Sequence, residues 1–309
     1  MKFLALLAVL LIEQLRPLRQ GNAAHEAFAR FAQYLRLQFD AGQYRQGVMA
    51  WVVAVIPLCL LVFVAEWLLA RASTPLALVF SMGVLYLTVG FRKFSNLFTD
   101  INSLLKFDDV IRAREKLRAW RNEDCAELDS GEIARLAIEH GLISSHRNVF
   151  GPVVFFLLLG PGGALLYALA VLVREQWIAR VTPDTGLSDE FVLFARRAFE
   201  VIDWLPARLT AATFAVVGNF QDAVDCWRTQ GPSWPDRSQG IILASGAGAL
   251  GVKLGGALHE AGSERYRPEL GIGEDADADY LQSAVGLIWR ALVMWMLLIG
   301  LVTIAHKLG

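Results

Sequence analysis

The sequence predicts an all-α, multi-pass membrane protein, and three observations carry that expectation. First, 55% of its 309 residues are hydrophobic and only 19% are charged, against roughly a quarter charged in soluble domains. Second, the apolar residues are gathered into nearly uncharged blocks close to the ~20 residues that a helix needs to cross a bilayer core. Third, the rest of the chain repeats its apolar positions at helical spacing, and no stretch alternates polar and apolar residues long enough to argue for a sheet. This composition excludes disorder, collagen-like repeats and a disulfide scaffold. Lys and Arg number 29 against 30 Asp and Glu, a formal net charge of −1, so no global field draws the chain to nucleic acid. Cys59, Cys125 and Cys226 are isolated in sequence and read as free thiols.

The elements follow in chain order. Lys2 precedes an apolar run from Phe3 to Ile12. Glu13-Gln14-Leu15-Arg16-Pro17 stands where a signal peptide would place a small-residue cleavage site, so the run reads as a retained short membrane segment ending near Pro17. Val48–Ala70 is broken only by Pro57 and Glu66, Arg71-Ala72-Ser73-Thr74 is a tight polar turn, and Pro75–Phe91 carries no charge. This pair predicts a membrane hairpin. Arg30, Arg36 and Arg45 before it, and Arg92, Lys93, Arg112 and Arg114 after it, put both flanks on the cytoplasmic side. Asp108 is placed to cap a helix with Val110, Ala113, Leu117 and Trp120 on one face. Asp129 and Glu132 have capping-box spacing before Ile133, Leu136, Ala137 and His140.

Val149–Val173 is uncharged but holds Gly160-Pro161-Gly162-Gly163 at its middle, which penalises a straight helix by several kcal/mol. Each flank is too short to cross alone. Two half-helices meeting in a re-entrant hairpin keep Arg174, Arg180, Arg196 and Arg197 cytoplasmic; one kinked span is the alternative. Ser188 opens an amphipathic helix with Phe191, Phe194, Ala195, Ala198, Ile202 and Leu205 on one side, and Pro206 ends it. Ala284–Ala305, with the single charge Arg290, predicts a third span. A single domain over 1–309 is therefore expected, made of an N-terminal segment (1–47), a transmembrane hairpin (48–91) and cytoplasmic helices (92–148). A membrane segment (149–173), a helical Gly/Ala-rich segment (174–283) and a C-terminal transmembrane helix (284–305) complete it.

Motifs with a ready mechanism are scarce. The sequence holds no P-loop, no GxGxxG after a strand, no HExxH and no GxSxG. His140 and His146, six apart, would share a metal only across a turn, and no metal site is expected. Ser245–Gly256 is rich in Gly and Ala and reads either as close helix packing or as a phosphate-facing turn. Arg208 follows Pro206 at the edge of the apolar stretch Leu209–Val217. A guanidinium there needs a carboxylate, phosphate or headgroup partner, so a structural pair with Asp203 and a ligand contact are both open.

Taken together, Ala113–Leu117, Leu128–Ala137, Glu139, the Gly160–Gly163 turn ahead of Tyr167, Asp203, Pro206–Thr210 and Ala247–Gly256 resemble the CobD/CbiB family. The resemblance implies a multi-pass bacterial inner-membrane protein. In that family the synthases attach the aminopropanol arm to the corrin ring as adenosylcobinamide-phosphate synthases. Several positions depart from the synthase pattern. His140, Ile143, Ser144 and Arg147 stand where a Ser, a Glu-Asn pair and an Asp are expected; Ala168–Trp177 replaces an Asn-Thr-x-Asp-Ser-Met block; Ser238 and Leu243 replace an Asn and a Glu.

Around these gaps Leu10–Leu15, Arg147, Tyr167 with Arg174 and Trp177, and Asp203–Leu209 are similar to the family's AmpE-like branch. The expectation is therefore a degenerate synthase site used for sensing or an accessory role, binding a polar or phosphorylated ligand. Glu139, Arg147, Arg174, Asp203, Arg208 and Lys253 are the candidate ligand residues, the arginines holding the anion and Asp203 orienting Arg208; no catalytic residue is assigned. The alternative is a working amide-forming synthase, for which the resemblance implies a corrinoid and ATP with Mg²⁺. Expected partners are the lipid bilayer and an anionic or corrinoid small molecule, with no nucleic acid.

Overall fold

The computed structural model describes residues 2–15, 23–40, 42–121, 125, 127–178, 189–260 and 263–308. It is all-α apart from one short β-rich stretch. The helices are α1 (Lys2–Leu15), α2 (Ala23–Phe39), α3 (Tyr44–Ala72), α4 (Thr74–Thr88), α5 (Phe91–Lys106), α6 (Val110–Arg121) and α7 (Ser130–Ser145). They continue as α8 (Gly151–Leu159), α9 (Pro161–Ile178), α10 (Asp189–Val217), α11 (Phe220–Thr229), α12 (Arg237–Leu250) and α13 (Ala278–Leu308). Tyr44–Ala72, Ser130–Leu159 and Ala278–His306 are long and apolar enough to cross a membrane, and α4 is a shorter apolar helix. Leu60, Leu61, Val64 and Leu68 of α3 and Leu297, Leu301 and Val302 of α13 face outward, as side chains facing lipid would.

The chain forms two compact units, Met1–Gly90 with Arg147–Trp204, and Phe91–His146 with Leu205–Gly309. In the first unit, α9 packs against α2, α3, α4 and α8. Its core includes Trp51, Tyr167, Trp177, Phe191 and Phe199. Two hydrogen bonds tie α2 to this core: Trp177 Nε1 donates to the Ala32 carbonyl at 3.0 Å, and Arg36 Nη1 donates to the Trp177 carbonyl at 3.1 Å.

The Gly160-Pro161-Gly162-Gly163 turn does join two helices. Gly160 takes φ of +76°, a conformation open to glycine at little cost, and α8 and α9 fold back on each other. A Cβ on Gly163 would stand 2.4 Å from the Phe155 carbonyl oxygen, and one on Gly151 would meet the Tyr167 ring. The flank before the turn is longer than the sequence indicated. α7, a π-helical turn at His146–Phe150 and α8 run as one helix from Ser130 to Leu159, ~45 Å at 1.5 Å per residue. Polar residues at 144–148 hid that continuity.

In the second unit, α7 begins at the expected capping box: Asp129 Oδ1 accepts from Glu132 N at 2.7 Å, and Asp129 N donates to Glu132 Oε2 at 2.9 Å. The α6 cap is one residue later than expected. Asp109 accepts from Arg112 N, while Asp108 takes φ of +57°, which rules it out as an extended cap. α10 runs through Pro206 instead of ending there. The lost backbone bond is offset by packing of the following turns, where Ala207, Thr210, Ala211 and Phe214 are fully buried. Ser188, the expected start of this helix, and Pro17 lie outside the described residues.

The segment 174–283 is also not helical throughout. The Gly/Ala string divides at Gly251, in the left-handed conformation, which ends α12. β1 (Val252–Gly255), β2 (Leu258–Glu260), β3 (Ser263–Arg265), β4 (Glu269–Leu270) and β5 (Glu274–Asp275) follow. β1 is central, antiparallel to β4 with Leu254 opposite Leu270, and parallel to β5 with Val252 opposite Glu274; β2 and β3 form a separate hairpin. Strands of two to four residues are too short to show alternation. The α12 part of the string is a packing surface: Gly248 lies where a Cβ would meet the Asp222 carbonyl of α11.

The close approach in the α8–α9 hairpin gives a direct test. Gly163→Ala should destabilise the protein by about 1–3 kcal/mol through overpacking. Gly83→Ala, in α4 with nothing within 4 Å of the added methyl, should be neutral or stabilising by up to ~1 kcal/mol. In detergent the Gly163→Ala protein should melt clearly below both the parent and the Gly83→Ala protein; equal values would show that the hairpin is not tightly closed.

Candidate functional site

The six sequence-predicted residues fall into two groups. Glu139, Arg208 and Lys253 belong to the second unit, and Arg147, Arg174 and Asp203 to the first.

Glu139, on the last turns of α7, is buried and reaches the loop that follows β1. Its Oε1 accepts from Gly255 N at 2.8 Å and from Arg267 Nη2 at 3.0 Å, and its Oε2 accepts from Arg267 Nη1 at 2.6 Å. Arg267 also donates from Nη2 to the Gly255 carbonyl at 3.2 Å and from Nε to the Gly256 carbonyl at 3.4 Å. Its guanidinium stands 5.6 Å from the Trp234 ring centre. Arg135, one turn before Glu139, donates to the Ala257 carbonyl. The loop Gly255-Gly256-Ala257 is thus gripped on both sides by a carboxylate and two arginines. Gly255 and Gly256 both have φ of +72°, and a Cβ on Gly255 would stand 2.0 Å from the Pro268 carbonyl oxygen. The backbone therefore needs glycine here.

With both oxygens taken by charge-assisted donors, Glu139 acts as an anchor of this loop rather than as a free base. Lys253, on the open face of β1, is half-exposed and pairs with Asp275 at 3.8 Å, a surface contact of small energy. Arg208 is half-buried in the second half of α10. Burial, and then repulsion from the nearby Arg237 guanidinium, hold its side chain below the usual arginine range. Two cations close together favour an anion beside them.

In the first unit, Tyr167 and Asp203 are both buried, and the Tyr167 hydroxyl donates to Asp203 Oδ1 at 2.7 Å. Such a bond to a charged acceptor contributes about 1.5–3 kcal/mol. Arg147 lies in the π-helical turn, a distortion often found at functional positions. Its Nη1 donates to Glu175 Oε1 at 3.2 Å, while Nη2 is buried and has no hydrogen-bond partner among the described residues. Arg147 and Arg174 both approach the Phe199 ring, at 5.9 and 5.1 Å from its centre.

Sequence reasoning missed Arg135, Arg267, Trp234 and the hydroxyl of Tyr167 as partners. Arg135 sits one helical turn from Glu139, a signal that spacing could have supplied. Arg267 is 128 residues away, and no local pattern joins it to Glu139. The two histidines serve elsewhere: His140 packs edge-on against Trp120 at 4.5 Å, and His146 Nδ1 lies 2.9 Å from Thr210 Oγ1.

Comparisons with known proteins bear on the whole chain. The family model described as "CobD/Cbib protein" matches residues 13–288. A "Cobalamin biosynthesis protein CobD" of Stutzerimonas stutzeri is 33% identical over 96% of both chains. One of Chromobacterium violaceum is 36% identical over 78% of this chain and 76% of its own. A "Probable cobalamin biosynthesis protein CobD" of Methanothermobacter thermautotrophicus is 24% identical over 67% of this chain and 69% of its own. No solved structure matches. The AmpE-like sensing role finds no support here: these relatives carry names from cobalamin biosynthesis, and the first is aligned over nearly the whole chain. A match that covers residues of both units, with a relative aligned over nearly its full length, places this chain in the CobD/CbiB family.

Proposed function

We propose that the chain acts in cobalamin biosynthesis as a membrane-embedded synthase of the adenosylcobinamide-phosphate type, forming an amide between an amine and a corrin-ring carboxyl. The observation that carries this reading is the near full-length likeness to a cobalamin biosynthesis protein, 33% identity over 96% of both chains. A likeness of that extent spans nearly the whole of both chains, aqueous helices as well as apolar ones. Apolar spans flanked by Arg-rich segments fit a multi-pass protein of the bacterial inner membrane with these segments in the cytoplasm.

In this reading Glu139 and Arg267 position the Gly255–Ala257 loop; Arg147 and Arg174 in the first unit, and separately Arg208 in the second, supply positive charge to anionic parts of the substrates. Asp203 fixes Tyr167, and Lys253 is the most accessible of the six. A corrinoid is the larger substrate, and ATP with Mg²⁺ would supply activation of the carboxyl. The described residues do not form a protein-held metal centre, since no three His, Cys, Asp or Glu side chains gather among them. A Mg²⁺ carried by nucleotide phosphates needs only one or two carboxylates.

The reading is tested by expressing the chain in a bacterium that lacks this synthase step. Restored cobalamin-dependent growth is expected, and growth no better than an empty vector overturns the proposal. Within that assay, Glu139→Ala and Arg267→Ala should each abolish growth and destabilise the protein by about 3–5 kcal/mol, because each leaves an uncompensated buried charge. The double variant should lose clearly less than the sum; additive losses would mean that the two do not act as a pair.

Arg147 has its own test. Pyrophosphate should raise the melting temperature of the parent protein, and Arg147→Ala should weaken that response roughly ten- to a hundredfold in apparent affinity, the worth of a hydrogen bond to a charged group. Glu175→Gln should keep it. Identical responses from the parent and Arg147→Ala would make this arginine structural.

A further inference from the structure

The first unit holds a pocket that the proposed chemistry does not use. It has a volume of about 210 Å³ and is lined by Glu66, Ala77, Ser81, Phe156 and Gly160, with Lys2 at its edge. Its walls come from one end of the helix bundle: the start of α1, the end of α3, the start of α4 and the α8–α9 turn. Glu66 lies six residues before the end of α3, ~9 Å along the axis, and just before Trp67. The Trp67 ring is covered by the Arg71 guanidinium at 3.7 Å, a pairing suited to the level of lipid headgroups.

Glu66 is the one acid on an otherwise apolar helix. A carboxylate in that setting is costly unless it is used. It forms no hydrogen bond or ion pair with any described residue, and its oxygens lie about 3.1–3.2 Å from where a Cβ on Gly160 would be. The absence of a side chain at Gly160 keeps the space beside the carboxylate open. Lys2 is the cation of the pocket, and it does not close on Glu66: its Nζ donates to the Leu157 carbonyl at 2.7 Å, leaving further N–H donors free to bind. A carboxylate and an ammonium that make no hydrogen bond to each other thus line one partly open, mostly apolar cavity.

We propose that this pocket binds the headgroup of a phosphatidylethanolamine, its primary ammonium on Glu66 and its phosphate toward Lys2, with the acyl chains along the outward apolar faces of α1 and α4. A primary ammonium has three N–H donors for a carboxylate and fits the space beside Gly160; a trimethylammonium has none and is bulkier. A headgroup without an amine leaves Glu66 unanswered.

The delipidated full-length protein in a neutral detergent is offered dioleoyl-phosphatidylethanolamine, dioleoyl-phosphatidylcholine or dioleoyl-phosphatidylglycerol, and bound lipid is counted by native mass spectrometry. Retention of phosphatidylethanolamine should exceed that of the other two roughly tenfold, as expected for one charge-assisted contact. Glu66→Gln should erase the preference. Ala77→Leu, which fills the cavity and leaves the carboxylate in place, should erase it too. Free phosphoethanolamine, which lacks the acyl chains, should bind at least tenfold more weakly. Equal retention of the three lipids by the parent overturns the proposal, as does a preference that survives both substitutions. Equal affinity for free phosphoethanolamine overturns the lipid as occupant. None of these outcomes depends on synthase activity.

Discussion

A charge or polar atom enclosed by apolar helices must find a partner, and this constraint organises both units. Asp203 takes the hydroxyl of Tyr167, Arg36 takes the Trp177 carbonyl and Asp40, and Glu139 takes Arg267 and a backbone N–H. Apart from the local Arg36–Asp40 contact, each pairing ties together elements far apart in sequence. Hydrophobic burial alone is non-directional and would let such helices slide; one satisfied polar pair per contact fixes which turn meets which. The Glu139–Arg267 pair does most in this respect, because it binds a long helix to a loop that has almost no side chains of its own.

Two of the three span-length helices, at Tyr44–Ala72 and Ala278–His306, and the α7 start were legible because their signals are local; the third, Ser130–Leu159, was not, because polar residues at 144–148 interrupt its apolar run. An uncharged run of 20 residues, or Asp129 three before Glu132, needs no knowledge of the rest of the chain. Pro206 misled for the same reason: its cost is local, while the burial that offsets it, at Thr210, Ala211 and Phe214, is tertiary. The partners of Glu139 could not be read at all, since Arg267 follows a stretch of short strands whose pairing depends on glycines in left-handed conformations. The candidate residues on the helices were therefore visible, whereas the loop that Glu139 holds was not.

Several of the positions that depart from the synthase pattern are apolar and buried. Ile143 and Leu243 are buried, and Leu169, Ala170, Val171 and Val173 of α9 belong to the first unit's core or border it closely. Polar groups at these points would need partners that the present packing does not provide. Exchange for apolar residues converts a polar requirement into packing, so these substitutions are self-consistent and stabilise the helices that carry them. They also narrow the chemistry: polar work at these points passes to groups that keep a free or accessible atom, and in the first unit Arg147, with Nη2 unpartnered among the described residues, is such a group.

Arg147 and Glu66 then illustrate two outcomes of one rule. Both place a charge in a helix apolar enough to span the bilayer, and neither has all its hydrogen-bonding atoms taken by described residues. Arg147 lies in the π-helical turn, bonded to Glu175 and close to the Phe199 ring, with Nη2 unpartnered among the described residues. Glu66 faces an open cavity with a separate cation at its edge, so it can accept a ligand that carries both charges and an apolar tail. The surroundings, more than the charge itself, decide what each position can bind, and on that ground the two proposals above give Arg147 a substrate anion and Glu66 a lipid headgroup.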